Sequence, residues 1–299
     1  MRRSDIRNRA EYIAVRAALF KLRFLPRPIA ERLAYALLWL IGMAVPKLRR
    51  AAMRNFEIAC PGLPAAERLA RVNACFRSLA RVLTAVAKFP DMNRSNVHRW
   101  IRYDGYEHFE KALKLGKGVI FATGHLGNWE LSAFAHALMD QPMSFVVRPL
   151  DNPLLDALAT RLRTMSGNEV IGRGGLLRPI LRALHSNRAV GILADQNVTA
   201  DRGVFVDFFN RKACVDPGLA RLAGRTGAAV IPGFALWSEE ERIFILKFYP
   251  PLAITGNEIA DTQAVQSALE RAIREYPDQW LWIHRRWKTR PPGEAPLYD

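Results

Sequence analysis

Beyond Gly105 the chain alternates short apolar runs with longer amphipathic stretches, and this alternation most restricts the possible folds. The apolar runs are typical of buried strands, and the stretches between them have helical spacing. The predicted strands are residues 118–122, 143–147, 189–194, 229–236 and 243–249, and the predicted helices are residues 131–139, 153–165, 218–224 and 261–276. Strands that alternate with helices predict an α/β fold with a largely parallel central sheet flanked by helices.

The residues that precede this alternation are predicted to be helical. Residues 7–24 mix apolar side chains with arginine and lysine, and residues 65–88 have helical spacing and end before Pro90. Half of the 299 residues are hydrophobic, which is enough for one substantial core. We therefore expect a basic, apolar helical region at residues 1–60, followed by the main domain at residues 61–299.

The positive charge of the chain is concentrated near its start. The net charge is +16, and residues 1–54 hold 13 Lys or Arg residues against 3 Asp or Glu residues. A basic surface of this kind can bind nucleic acid, anionic lipid or an acidic protein. No helix-turn-helix, zinc-finger or RNA-binding signature accompanies it, and long aliphatic runs do, so we do not expect a nucleic-acid partner.

Residues 33–45 form an apolar stretch between Arg32 and the cations Lys47, Arg49 and Arg50. A helix that spans a bilayer needs about 20 apolar residues, so this stretch is too short to cross one alone. A short apolar helix bracketed by cations suits a segment that lies in the membrane interface. The alternative is a pair of soluble helices packed on the main core. Whether the stretch spans the membrane or lies in it stays open.

Polar residues follow three of the predicted strands at the point where each strand ends. His125 follows the first strand, Arg148 follows the second, and Asp195, Gln196 and Asn197 follow the third. In an open α/β sheet, ligands bind outside the carboxyl ends of the strands. Because three separate strands deliver such groups to one edge, this edge is the predicted functional site.

His125 and Glu130 lie five residues apart, with Gly124, Gly127 and Asn128 around them. The glycines and the asparagine indicate a strand, a tight turn and a helix that begins near Asn128. In this geometry Glu130 is expected to accept a hydrogen bond from one imidazole nitrogen, which leaves the other nitrogen as a base. The amides of Gly127 and Asn128 are expected to approach a developing oxyanion. The alternatives are a capping or core histidine and a carboxylate that merely suits the helix dipole.

Other candidate sites in the chain are weaker. Three scattered cysteines show neither metal-ligand spacing nor a disulfide framework, and the histidines show no ligand pattern, so no metal site is predicted. Arg173-Gly174-Gly175 is too short to indicate a phosphate-binding loop. Three tryptophans near the C-terminus, Trp280, Trp282 and Trp287, are typical of a membrane interface, and core packing is the alternative for Trp280 and Trp282.

Four ordered motifs resemble one known family. The segment from Gly124 to Glu130 resembles the His-x4-Asp/Glu motif of glycerolipid acyltransferases, in the form used by bacterial lipid A biosynthesis acyltransferases of the late, lauroyl or myristoyl type. The other motifs are Arg148-Pro149-Leu150-Asp151-Asn152-Pro153 with Arg163 after it, Asp195-Gln196 followed by Phe208-Phe209, and the segment from Gln279 to Trp287. Asn210 departs from the family, which usually has glycine after the paired phenylalanines.

The resemblance implies transfer of an acyl chain from an acyl-carrier-protein thioester to a hydroxyl of a membrane glycolipid, most specifically a lipid A precursor. In that family His125 would be the general base and Glu130 its orienting carboxylate. Arg148, Arg163, Asp195 and Gln196 would contact or position substrate. The implied location is the cytoplasmic face of the inner membrane, with an acidic acyl carrier protein and an anionic membrane as partners and no cofactor beyond the acyl-carrier or acyl-CoA co-substrate.

These motifs do not identify the lipid that accepts the acyl chain. Family members that share them acylate other glycolipids, among them phosphoinositide mannosides, and a lysophospholipid acceptor is also open. A non-catalytic lipid-binding membrane protein with the same fold is the alternative from a different functional class. Acyl chain length, the choice between acyl carrier protein and CoA, and the oligomeric state are likewise left open by the sequence.

Overall fold

The computed structural model describes residues 4–172 and 177–298. Arg173-Gly174-Gly175 therefore lies outside the described residues. The helices are α1 Asp5–Phe24, α2 Arg27–Ala44, α3 Pro46–Ala59, α4 Ala65–Lys88, α5 Tyr106–Leu113, α6 Trp129–Met139, α7 Pro153–Thr164, α8 Leu177–His185, α9 Gly218–Thr226 and α10 Glu258–Glu275. The strands are β1 Ile101–Asp104, β2 Val119–Thr123, β3 Ser144–Val147, β4 Glu169–Gly172, β5 Ala189–Leu193, β6 Val204–Phe208, β7 Arg211–Val215, β8 Ala229–Trp237 and β9 Phe244–Phe248.

A seven-stranded sheet in the order β1-β9-β8-β2-β5-β3-β4 forms the centre of the fold. Its neighbouring strands are parallel except for the antiparallel pair β8 and β9. Strands β6 and β7 form a separate antiparallel hairpin. The predicted α/β fold with a largely parallel sheet flanked by helices is therefore confirmed.

Strand β2 shows why the central strands are apolar throughout. Val119 and Phe121 belong to the core cluster that packs against α5 and α6, whereas Ile120 and Ala122 belong to the cluster under α8 and α9. Helices cover both faces of the sheet, so each residue of a central strand is buried whichever way it points. The continuous apolar runs of the sequence therefore correspond to strands that are buried on both faces.

Of the four described strands that sequence patterns did not predict, two lie at the edges of the central sheet. Strand β1 reads Ile-Arg-Tyr-Asp and β4 reads Glu-Val-Ile-Gly, and each ends one side of the sheet. An edge strand meets solvent, so it can carry polar residues and lacks a continuous apolar run. The hairpin β6–β7 was not predicted either.

Trp280, Trp282 and Trp287 are buried in one aromatic cluster with Phe56 of α3 and Phe208 of β6. Core packing is therefore the correct interpretation of these tryptophans, and the interfacial one is wrong. The cluster draws side chains from both sides of residue 60, so α3 packs on the main domain. The division of the chain at residue 60 itself stays a prediction.

Helices α1 and α2 leave apolar side chains exposed. On α1, Ile6, Ile13, Phe20 and Phe24 lie on one face and are 63–82% exposed. On α2 the exposed apolar residues are Ile29, Leu33, Leu37, Trp39, Leu40, Ile41 and Met43. Among the described residues, no single helix is long and apolar enough to cross a membrane, although α2 and α3, bent by 93°, pass such a test as a pair.

Candidate active site

Strand β2 ends at Thr123, and Gly124 then brings the chain against the neighbouring strand end. A Cβ atom at Gly124 would lie 3.1 Å from the Asp195 carboxyl carbon and 2.9 Å from a Leu269 methyl group. Glycine therefore allows Asp195, which follows β5, to approach the backbone next to His125. The parallel register pairs Thr123 with Leu193, so His125 and Asp195 stand at the same level of adjacent strands.

Asp195 holds the His125 imidazole. The Nδ1 atom of His125 lies 2.8 Å from Asp195 Oδ1, and the His125 backbone amide donates to Asp195 Oδ2 at 2.8 Å. Trp280 Nε1 also donates to Oδ2, at 2.9 Å. Since an ionised carboxylate can only accept, Nδ1 carries the hydrogen and Nε2 is left as the basic nitrogen.

The prediction that Glu130 accepts the hydrogen bond of His125 is therefore wrong, because Asp195 occupies that position. Asp195 was expected to contact or position substrate; its side chain is only 2% exposed and lies behind the imidazole, so positioning through His125 is the role that stays predicted. His125 and Arg148 line a common cavity at this edge of the sheet. The predicted convergence of the three strand ends is confirmed.

The electrostatics of the pair favour charge separation. Burial lowers the pKa of His125, but the Asp195 carboxylate, its hydrogen bond and the charge of Glu130 together raise that pKa above its ordinary value. Burial would raise the pKa of Asp195, yet the imidazole and the Trp280 hydrogen bond hold it well below its usual range. Asp195 is thus an anion that stabilises an imidazolium when His125 accepts a proton.

Glu130 forms a two-pronged ion pair with Arg163 of α7. Arg163 Nε and Nη2 donate to the two Glu130 carboxylate oxygens at 2.9 and 2.5 Å. Both side chains are mostly buried and line the same cavity as His125. Two parallel hydrogen bonds fix the guanidinium geometrically. The ion pair therefore holds Glu130 and Arg163 together in the lining of the cavity beside His125.

In the turn between His125 and α6, the backbone amides already donate hydrogen bonds within the protein. Gly127 has φ of +66°, its amide donates to the carbonyl of Gln279 at 2.9 Å, and the Asn128 amide donates to the carbonyl of Ala235 at 2.8 Å. The Asn128 side chain caps α6 through the Leu131 amide. The predicted helix start is confirmed. The expectation that the Gly127 and Asn128 amides stabilise an oxyanion is wrong, because both hydrogens already have carbonyl acceptors.

A cavity of about 470 Å³ opens beside His125. Its outer part is polar and includes Arg148, Asp151, Arg163 and Gln196, and its inner part is largely apolar and reaches across the face of the sheet. The inner lining comprises Phe121, Met143, Phe145, Gly191, Gly233, Leu246 and Phe248, with the side chain of His136 among them. A cavity of this size and lining suits a flexible apolar chain with a polar head.

The Arg148–Pro153 segment joins this mouth to the N-terminal helix. Asn152 caps α7 by accepting from the Leu154 amide, and its Nδ2 donates to the Asn8 carbonyl and to Glu11 of α1, both at 3.0 Å. Arg148 is exposed at the rim, 3.6 Å from Asp151. These hydrogen bonds hold the first half of α1 against the segment that carries Arg148.

Several site residues were missed from sequence because they lie in an irregular C-terminal segment. Trp280 bonds to Asp195, and His284 Nε2 accepts from the Asn197 amide at 3.0 Å, with burial lowering the His284 pKa to about 4. Arg286 is fully buried and donates to Gln266, whose own amide holds the Ala194 carbonyl. The sequence marked this segment through the resemblance of residues 279–287 to the C-terminal motif of the family. No role was assigned to its residues from that resemblance.

The hairpin turn at Phe208-Phe209-Asn210 tolerates the departure from glycine. Phe209 and Asn210 have φ of 53° and 57°, in the left-handed region. Asparagine adopts that region more readily than most residues, so Asn210 suits the backbone conformation of this turn. Phe208 and Phe209 pack into the aromatic cluster that supports Trp280.

A histidine held by a buried carboxylate stands at the polar mouth of an apolar cavity in an α/β fold, an arrangement that suits acyl transfer. The sequence model described as bacterial lipid A biosynthesis acyltransferase matches residues 2–289. The chain belongs to this family.

The chain is similar to several characterised relatives along most of its length. It is 27% identical to a lipid A biosynthesis acyltransferase of Haemophilus influenzae, over 94% of this chain and 88% of that protein. It is 32% identical to the lipid A biosynthesis palmitoleoyltransferase of Escherichia coli, over 89% and 90%. It is 30% identical to the lipid A biosynthesis lauroyltransferase of E. coli, over 92% and 90%.

Proposed function

We propose that the protein is an O-acyltransferase that moves a fatty acyl chain from an acyl-carrier-protein thioester to a hydroxyl of a lipid A precursor. The observation that carries this proposal is the His125–Asp195 pair at the mouth of an apolar cavity. The names of the relatives support a lipid A precursor as acceptor. Acyl carrier proteins are acidic, and the chain has a net charge of +16, which favours such a donor.

The reaction follows from the geometry of the pair. Nε2 of His125 takes the proton of the acceptor hydroxyl while the oxygen attacks the thioester carbonyl carbon. The tetrahedral intermediate expels the thiolate as the carbon–sulfur bond breaks, and the thiolate takes the proton from the imidazolium. Asp195 stabilises the imidazolium between the two proton transfers. The products are an ester and a free thiol, and His125 returns to its neutral form.

The two ends of the cavity have separate tasks in this proposal. The acyl chain of the donor occupies the apolar interior, and its thioester lies at His125. Arg148 and Gln196 contact the acceptor head group at the rim, where Arg148 faces phosphate. Glu130 and Arg163 act as one unit: Arg163 supplies positive charge near the reacting carbonyl, and Glu130 fixes its position.

His125→Ala is expected to lower the rate of acyl transfer by about 10²–10⁴-fold, since it removes the general base. Purified protein would be assayed with acyl-carrier-protein and acyl-CoA donors and a lipid A precursor, and the ester would be measured by mass spectrometry. His185→Ala, at an exposed histidine on α8, is the matched control and should leave the rate unchanged. Unchanged turnover in the His125 variant would contradict the mechanism, and absence of transfer by the parent protein would contradict the function.

We also propose that α1 and α2 lie in the cytoplasmic surface of the inner membrane as a monotopic anchor. The exposed apolar residues of α1 are interspersed along the helix with three exposed cations, Arg9, Arg16 and Lys21. Such a helix buries its apolar face at the headgroup boundary while its cations meet anionic lipid.

Phe20→Ser combined with Phe24→Ser is expected to weaken binding to vesicles that contain phosphatidylglycerol by roughly tenfold, because two large apolar side chains lose their burial in lipid. Flotation of the purified protein with vesicles measures the change. The matched control is Leu115→Ser combined with Ile259→Ser, at residues of similar exposure outside α1 and α2. Equal loss in both double variants would overturn the assignment of the anchor to α1.

A further inference from the structure

Gly233 lies in the middle of the central strand β8 and lines the inner part of the cavity. It is buried, and its neighbours in the chain are Pro232 and Phe234. Glycine in a strand interior weakens the strand relative to alanine, because it loses more backbone freedom on folding and packs no side chain. Its φ is not positive, so the backbone does not require glycine at this position.

The space in front of Gly233 is open. Apart from the chain neighbours, a Cβ atom there would have only two atoms of the described residues within 4 Å, Phe121 Cδ1 at 3.6 Å and the Lys247 carbonyl oxygen at 3.7 Å. A buried core side chain ordinarily contacts many more neighbours. Ile231 stands opposite Phe121, and residues two apart in a strand share a face, so a side chain at Gly233 would point to the face of the sheet that the cavity covers.

The second glycine of the inner lining, Gly191, differs in this respect. It lies in β5, opposite Phe121 on the other side of β2. A Cβ atom at Gly191 would lie 2.9 Å from the methyl carbon of Met143. The space in front of Gly191 is therefore already filled by a side chain, whereas the space in front of Gly233 is not. A flexible chain that enters the cavity at His125 finds room on the β8 side of Phe121.

The strand register sets the depth of Gly233 in the cavity. Ala122 stands opposite Pro232, so Gly233 follows at the level of Thr123, two residues before His125. At about 3.3 Å per residue, this is about 7 Å from His125 along the strand. An acyl chain whose thioester lies at His125 and that passes over β8 therefore reaches Gly233 after its first few carbons, and a shorter chain ends before it.

We propose that Gly233 determines which acyl chains the enzyme prefers, because the open space in front of it lets the far end of a long chain pass over β8 and β9. Phe121, Leu246 and Phe248 also line this part of the cavity. Each methylene group buried there is removed from water, which favours longer chains until the space is full. A side chain at residue 233 would occupy that space. This inference rests on the proposed acyl transfer.

The test is the dependence of kcat/KM on chain length, measured with saturated acyl-carrier-protein donors from short to long. In the parent protein kcat/KM should rise with each added methylene group until the space is full. Gly233→Val, with a branched side chain that suits a strand, should end this rise at shorter chains. It should lower kcat/KM for the longest accepted donors by roughly tenfold relative to the shortest. Gly233→Ala should give a smaller change in the same direction. A rise that ends at the same length in the parent and the valine variant overturns the proposal, as does an equal loss at every length.

Urea unfolding separates this role from a structural one. Gly233→Ala should be no less stable than the parent, because alanine is favoured over glycine in a strand and its Cβ meets only ordinary contacts. A less stable alanine variant would show that the space is not open and would contradict the proposal. Gly62→Ala is the matched control, since Gly62 is exposed and a Cβ there meets no atom of the described residues within 4 Å. It should leave the chain-length profile unchanged.

The parent protein distinguishes failure of this inference from failure of the proposed function. If the parent transfers no acyl chain, the proposed function fails and this inference fails with it. If the parent transfers acyl chains and its chain-length profile coincides with that of Gly233→Val, the proposed function stands and this inference alone is overturned.

Discussion

Asp195→Asn is expected to lower kcat for acyl transfer by about 10²–10⁴-fold while leaving the fold intact. The asparagine side chain has nearly the shape of aspartate, so the close approach to Gly124 is kept. It carries no charge, so the imidazolium formed during proton transfer loses the anion that stabilises it. An amide that presents its NH₂ group to Nδ1 would also favour the wrong tautomer of His125.

The pH dependence gives this prediction a second readout. In the parent protein the carboxylate raises the pKa of His125 above its ordinary value, and activity requires the neutral imidazole, so the rate increases as pH rises through that pKa. Without the carboxylate, burial lowers the pKa and the other raising cause is the charge of Glu130. The acidic limb of the kcat profile should therefore move to lower pH.

Asp201→Asn is the matched control for both readouts, because Asp201 is exposed in the short turn that follows the same strand end. It should change neither kcat nor the acidic limb. A parent-like rate in Asp195→Asn, or an acidic limb that moves to higher pH, would show that His125 is not the base that Asp195 supports. Circular dichroism on both variants separates a lost fold from a lost charge.

The sequence predicted which residues meet at the sheet edge but not how they pair. The buried strands and the polar residues at their ends were visible as patterns, which placed His125, Arg148 and Asp195 at one edge. The order of the strands was not visible. Because β5 is the direct neighbour of β2, with Thr123 opposite Leu193, the hydrogen bond of His125 goes to Asp195. Glu130, predicted from its nearness in sequence, pairs with Arg163 instead.

The C-terminal segment could not be placed from the sequence for a related reason. Residues after α10 have no helical or strand period, and their contacts are made with distant parts of the chain. Trp280 reaches Asp195 across 85 positions, and the Gly127 amide reaches the Gln279 carbonyl. Such long-range pairs follow from the tertiary fold and leave no local pattern.

Gly127→Ala is expected to destabilise the protein by on the order of 4 kcal/mol or more, which is a large share of the stability of a typical domain. Two causes add. The φ of +66° is unfavourable for alanine by about 1 kcal/mol. A Cβ atom at this position would also lie 1.9 Å from the carbonyl oxygen of Ala235, a backbone atom of the central strand β8.

That overlap can be relieved only by moving the turn away from β8. Movement breaks the hydrogen bond from Asn128 to Ala235 and strains the one from Gly127 to Gln279, and each buried group left unpaired costs about 1–3 kcal/mol. The same movement displaces His125, two residues earlier, from Asp195. Activity should therefore be lost even in the fraction of the variant that remains folded.

Gly116→Ala separates the two causes. Gly116 also has a positive φ, of 69°, but it is exposed and a Cβ atom there would meet no other atom within 4 Å. Its cost should be about 1 kcal/mol, from the backbone conformation alone. Urea unfolding of both variants measures the difference. A Gly127→Ala variant no less stable than Gly116→Ala would mean that the turn does not pack against β8, and the placement of His125 by that packing would fail with it.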